Sequence, residues 1–317
     1  MTRGDGPQAS PAGVRAPINA STVPSTHVPR RDGRLRATHT LTGDIRAHRA
    51  VPSNLLRGTR DVLVYLPPGY ADDTQRRYPV MYFQDGQNIF DGATSFVPGE
   101  EWQVDETAER LIRSAEIEPV ILVAIDHAGP ARLDEFGPVW DGRRKAGGRA
   151  HLYGRMLVEE IKPLIDREYR TRPGPNDTGL AGSSMGGLVT LHVALTWPFV
   201  FRRLAVLSPA AWWGGRVILR QVESLRDRLP LRIWLDVGTA EGHRALRDVR
   251  ALRDALLRKG WRQDSDLRYV EVDGASHSEA AWAARVDRFL RYLFPSMAHR
   301  AAGVTRVPAE AGDADPA

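Results

Sequence analysis

Apolar and polar positions alternate between two periods along this chain, and the switches between them mark out the elements. Arg60-Asp61-Val62-Leu63-Val64-Tyr65-Leu66 is rich in strand formers and ends at Pro67-Pro68-Gly69-Tyr70. Tyr78–Gln84 and Pro119–Asp126 are short runs apolar on both faces, as buried parallel strands are. Thr178–Ala181, Arg203–Ser208, Leu231–Val237 and Leu267–Val272 read as further strands. Between them the period lengthens. Leu152, Met156, Leu157, Ile161, Leu164 and Ile165 fall on one helical face, as do Leu246, Val249, Leu252 and Leu256 in a helix from about His243 to Lys259. A helix through about Ser114, one over 188–195 and a last one from Glu279 to Phe294 complete the pattern. Strands alternating with helices predict an α/β fold, with a mostly parallel central sheet and helices on both faces.

The two ends break the pattern. Residues 1–40 are rich in Ala, Pro, Ser, Thr, Gly and Arg and bury too little to offset ordering entropy, so they read as a disordered tail. Residues 298–317 read the same way. One α/β domain, 41–297, lies between.

One turn carries the candidate chemistry. Leu180-Ala181-Gly182-Ser183-Ser184-Met185-Gly186-Gly187-Leu188 has the spacing G-x-S-x-G, between a strand and an apolar helix. A strand running directly into a helix needs a sharp turn, and the flanking glycines remove side chains that would clash there. Ser184 then sits at the tip, beside the free N–H groups of a helix start. A plain helix cap would use the same residues, so the reading needs a base, an acid and an oxyanion hole elsewhere.

A serine on such a turn resembles the nucleophile of α/β-hydrolases, in which the chain order is serine, acid, histidine. His277 follows the last strand in a glycine-containing loop and is the candidate base. His243 opens a helix, His192 lies within one, and His127 precedes the serine. Asp236 and Glu241 compete for the acid; Glu241, beyond the strand end in a glycine-flanked turn, is preferred. The oxyanion donors would be the N–H groups of Met185 and Gln87, with Gly86 letting the backbone approach a substrate. Trp102, Trp212 and Trp213 are candidate apolar walls. The long segment 127–150 offers Arg132, Asp134, Glu135 and Trp140 as pocket residues, and its arginines could meet an acidic substrate.

Composition narrows the classes. The 317 residues carry a net charge of +5, with six arginines against two aspartates in the first 36. No basic patch with interleaved aromatics stands out, so nucleic acid is not an expected partner. The absence of cysteine excludes disulfides and thiol catalysis. No apolar run reaches membrane-spanning length. No secretory apolar segment opens the chain, which reads as cytoplasmic or already processed, export not excluded. Metal and phosphate-loop motifs are missing, and no cofactor is expected.

Together these motifs resemble the putative esterase (esterase D-like) family of α/β-hydrolases. Tyr82-Phe83-Gln84-Asp85-Gly86-Gln87-Asn88-Ile89-Phe90-Asp91 resembles its oxyanion loop and Gly182–Leu188 its nucleophile elbow. Asp236–Glu241 resembles its acid turn and His277–Trp282 its histidine segment. The resemblance implies Ser184 as nucleophile, His277 as base, Glu241 as acid, and Gln87 and Met185 as the oxyanion hole. It implies a small-molecule ester as substrate, of the enterochelin-esterase or carbohydrate- and feruloyl-esterase kind. An acyltransferase using the same residues, or a non-catalytic binding module on the same fold, are the other readings.

Overall fold

The computed structural model describes residues 38–296 and the backbone strand Ser21–Thr22. Most of both expected tails therefore lies outside the described residues. His39 and Thr40, just ahead of the expected domain start, are hydrogen-bonded to Asp91 and Glu101.

Eight strands carry the sheet: β1 (Asp44–Pro52), β2 (Thr59–Leu66), β3 (Val80–Phe83), β4 (Ile121–Ile125), β5 (Thr178–Ser183), β6 (Arg203–Leu207), β7 (Arg232–Gly238) and β8 (Leu267–Val272). Their spatial order is β1-β2-β4-β3-β5-β6-β7-β8, with Ser21–Thr22 pairing outside β1. β1, β2 and β4 pair antiparallel; every pairing from β4 through β8 is parallel. The parallel strands therefore end on one edge, where sites form in sheets of this kind.

The strands alternate between two cores. In β4, Ile121, Val123 and Ile125 enter one apolar cluster while Leu122 and Ala124 enter the other; Val80 and Tyr82 oppose Met81 and Phe83 in β3. The period of two thus divides a strand that is apolar throughout between two helical layers. The first core is covered by α3 (Ala150–Met156), α4 (Lys162–Glu168), α5 (Met185–Thr196), α6 (Trp213–Ser224) and α7 (His243–Arg258). The second is covered by α1 (Val104–Arg113) and α9 (Val286–Leu293). α5 is buried almost all round, as expected of a helix in the middle of a large domain.

Several elements differ from the sequence expectation. β1 is an extra strand: its polar His48 is buried and bonded to Tyr169, which blurs the alternation. α6 occupies a stretch that opens on Gly214, Gly215 and Arg216, all at positive φ, before regular helix resumes. The helix expected over 152–169 contains a π-helical turn at Leu157–Ile161 between α3 and α4. The last helix is two, α8 (Glu279–Ala283) and α9. Segment 127–150 holds the short helix α2 (Arg132–Phe136) and a small hairpin, Trp140–Asp141 with Ala146–Gly147.

Candidate active site

β5 ends at Ser183 and α5 begins at Met185, so a single residue makes the turn. That residue, Ser184, has φ 56° and ψ −120°, a conformation that costs on the order of 1 kcal/mol or more for a residue with a Cβ. It is held by three main-chain bonds: its N–H donates to Leu207 O (3.0 Å), and its carbonyl accepts from Leu188 (3.0 Å) and Ala210 (2.9 Å). A Cβ on Gly182 would lie 2.6 Å from the carbonyl of Gly186, which explains the glycine requirement.

His277 follows β8 and Glu241 ends a one-turn 3-10 helix after β7. Their loops are fastened together: Ala240 N–H donates to Ala275 O (3.1 Å) and Gly274 N–H to Thr239 Oγ1 (2.9 Å). The result is a 2.7 Å hydrogen bond from His277 Nδ1 to Glu241 Oε2. The other carboxylate oxygen accepts from Gly238 N–H (2.7 Å) and Ser208 Oγ (2.5 Å). Burial opposes ionisation of Glu241, but the bonds from His277, Ser208 and Gly238 outweigh it and hold the carboxyl below its ordinary range. Trp282 meets the His277 ring edge-on, with centroids 4.9 Å apart, and donates its indole N–H to Ser208.

Asp236, the competing acid, is engaged elsewhere. It is fully buried and accepts from Arg285 Nη1 (2.6 Å), Trp234 Nε1 (2.7 Å) and Ser208 N–H (3.2 Å). Arg285 is itself buried and lies 3.8 Å from Glu241 Oε1. Ser208 thus joins two buried carboxylates, one paired with a cation and one with an imidazole.

Ser184 and His277 line one cavity of about 510 Å³, together with Asp85, Asn88, Phe96, His127, Arg132, Leu133, Glu279 and Trp282. The loop after β3 packs on the first turn of α5: a Cβ on Gly186 would touch Asp85 Oδ2 at 3.0 Å and Gln84 Cβ at 3.2 Å. Gln87 lies in a one-turn 3-10 helix, Gly86–Asn88, and Met185 is the first residue of α5. Both N–H groups therefore belong to first turns, which have no intrahelical acceptor.

A strained serine at a strand-to-helix turn shares a cavity with a carboxylate-bound histidine, in a sheet whose order runs β1-β2-β4-β3-β5-β6-β7-β8. The Putative esterase family model matches residues 53–293. The chain belongs to the Putative esterase family. It is thereby an esterase, a hydrolase of ester bonds. It is 24% identical over 267 residues to the uncharacterised protein YbbA of Bacillus subtilis, covering 80% of this chain and 97% of that one. It is 25% identical over 249 residues to the ferri-bacillibactin esterase BesA of the same organism, covering 71% of this chain and 82% of that one. The α/β-hydrolase fold is shared with an IroE-like serine hydrolase from Shewanella oneidensis (TM-score 0.64, 20% identity, 79% of this chain and 80% of that one). It is shared as well with the BES protein of Bacillus cereus (TM-score 0.62, 20% identity, 85% and 99%).

In this esterase several expected pocket residues are placed otherwise. Trp102 is 2% exposed and packs on Trp282, and Trp213 is fully buried with its N–H on Val139 O, so neither offers surface to a substrate. Trp212 is half-buried under the Arg144 guanidinium and does not line the cavity. Gly86 is glycine for a different reason: a Cβ there would lie 2.6 Å from the backbone of Ile125. Glu135 is buried against Arg60 (2.5 Å), Asp134 caps Gly147 N–H (2.8 Å), and Trp140 is exposed. Arg132 does line the cavity, and one edge of its guanidinium, Nε and Nη2, donates to the two carboxylate oxygens of Asp85 at 2.6 and 2.7 Å. The lining residues Asn88, Phe96 and Glu279 and the supporting pair Ser208 and Arg285 are not candidates in the sequence reading, and His127, weighed there only as a base, lines the cavity. Asn88 and Glu279 fall inside the quoted motifs, which was the available signal.

Among the described residues, Glu101, Asp105 and Glu106 bring carboxylate oxygens within 4.8 Å of one another at the start of α1, away from the cavity. Burial pushes the Glu101 carboxyl up to about 7, against a bond from Thr40, and pushes Asp105 up as well. Folding therefore favours the protonated form of Glu101, and stability falls as pH rises from the unfolded value of 4.5 towards 7. Glu101→Gln mimics the protonated form. Its stability relative to wild type is expected to rise across that window by at most about 1.4 kcal/mol per pH unit, then level off. Denaturant unfolding at several pH values checks this; a pH-independent difference would mean Glu101 ionises normally.

No helix among the described residues is long and apolar enough to cross a membrane.

Proposed function

We propose that this chain is a serine carboxylic-ester hydrolase that works through an acyl-enzyme on Ser184. His277 takes the Ser184 proton as the oxygen attacks the ester carbonyl. The developing oxyanion is met by the N–H groups of Met185 and Gln87. His277 then protonates the leaving alcohol, and water, activated by the same imidazole, releases the acid and restores Ser184. Glu241 orients the His277 ring and stabilises its imidazolium without taking the proton. The observation that carries this reading is the Ser184 turn sharing one cavity with a His277 already bonded to Glu241. The likeness to an endo-1,4-β-xylanase/feruloyl esterase of Xylanibacter ruminicola, 27% identical over 240 residues and covering 73% of this chain and 29% of that one, favours an ester of an aromatic acid.

Glu241→Gln keeps the shape of the acid and removes its charge. It is expected to lower kcat for p-nitrophenyl butyrate by about 10²- to 10⁴-fold, with KM little changed. A fall of less than about tenfold would remove Glu241 from the mechanism.

A further inference from the structure

The charges around the cavity bear on which esters enter it. Arg132 is the one arginine or lysine among the described lining residues. Asp85 holds one edge of its guanidinium through Nε and Nη2, and the Phe136 ring lies 5.1 Å from its centre. That bidentate pair balances its charge, so an anion at the remaining N–H groups meets a cation already neutralised by a carboxylate. A second carboxyl, Glu279, lines the same cavity and is close enough to act on Arg132 electrostatically. Burial lowers the basicity of His127, so it adds no positive charge at neutral pH. The apolar contribution is large by contrast. Phe96, 80% exposed, lies on the cavity wall with Leu133 and Trp282.

We propose that this cavity takes an uncharged ester with an apolar or aromatic body and discriminates against esters carrying negative charge, with Asp85 and Glu279 as the specificity-determining residues. The proposal rests on the esterase reading above. An anion seated here meets two carboxyls and one neutralised cation in a partly desolvated site, whereas a neutral ester meets apolar walls and a balanced pair.

Three p-nitrophenyl esters of equal chain length test it on the full chain: the hexanoate, the adipate half-ester with its free carboxylate, and the 6-(trimethylammonio)hexanoate. At low salt, kcat/KM for the adipate half-ester is expected to be at least about thirtyfold below that for the hexanoate, and the gap should shrink at high salt. The cationic ester should stay within about tenfold of the hexanoate. Asp85→Asn, which releases Arg132, should narrow the anionic gap most. Asp85 is buried beside the elbow, so the half-buried Glu279→Gln serves as the second variant and should narrow the gap severalfold. Wild-type cleavage of the adipate half-ester as fast as the hexanoate, or a gap unchanged in both variants, overturns the proposal and leaves the esterase reading standing. No cleavage of any of the three overturns the esterase reading and this proposal with it.

Discussion

Ser184→Ala is expected to lower kcat/KM for p-nitrophenyl butyrate by about 10⁴- to 10⁶-fold, the scale seen when a hydrolase nucleophile is removed and only binding and the oxyanion donors remain. The loss should fall on kcat, because the cavity walls that bind the ester are untouched. Stability should move the other way in a companion variant. Ser184 is held at φ 56° by the bonds to Leu207, Leu188 and Ala210. Glycine adopts that conformation without a Cβ penalty, so Ser184→Gly should abolish activity while stabilising the fold by about 1 kcal/mol. Denaturant midpoints and steady-state rates on the same preparations check both parts. Retention of most activity in Ser184→Ala would place the chemistry on another residue.

Arg285→Met is expected to cost about 3–5 kcal/mol of folding stability and to lower kcat as well. The stability loss follows from what the arginine leaves behind. Asp236 has no exposed side-chain surface, and its charge is matched by Arg285 at 2.6 Å. Removing one partner of a buried pair leaves the other uncompensated. Replacing both, in Asp236→Asn with Arg285→Met, should recover much of the stability. The activity loss has a separate origin. Arg285 lies 3.8 Å from Glu241 and 3.3 Å from Ser208, whose hydroxyl fixes the Glu241 oxygen turned away from His277. The double variant should therefore fold well and remain slow. Urea unfolding separates the two effects; a single-variant cost below about 1 kcal/mol would mean the pair does not carry a buried charge.

Features set by neighbours in the chain were legible in the sequence. The parallel strands, the glycine-flanked turn at Ser184 and the loop positions of Glu241 and His277 depend on periodicity and turn chemistry, which short windows record. Features set by distant partners were not. Read locally, Arg132 is a free cation in a loop; its partner Asp85 lies 47 residues earlier. The tryptophans looked like pocket walls because their large apolar area is equally suited to a core, and Trp102 and Trp213 are used there. Gly86 looked like a substrate approach, yet the close neighbour is the end of β4. Arg285 and Ser208 gave no local signal, since their importance lies in joining Asp236 to Glu241 across β6, β7 and α9. β1 was hidden by His48, a polar residue whose partner, Tyr169, is 121 positions away.

The proposed mechanism stands or falls on an acyl group passing through Ser184. The most direct measurement is to incubate wild type and His277→Ala with a fluorophosphonate ester, digest both, and map the adduct by mass spectrometry. Wild type is expected to be phosphonylated stoichiometrically on the peptide containing Ser184, with esterase activity lost in step with labelling and labelling slowed by several powers of ten in His277→Ala. Full loss of activity with the adduct on another residue, or undiminished ester hydrolysis by a protein fully labelled at Ser184, would contradict that mechanism.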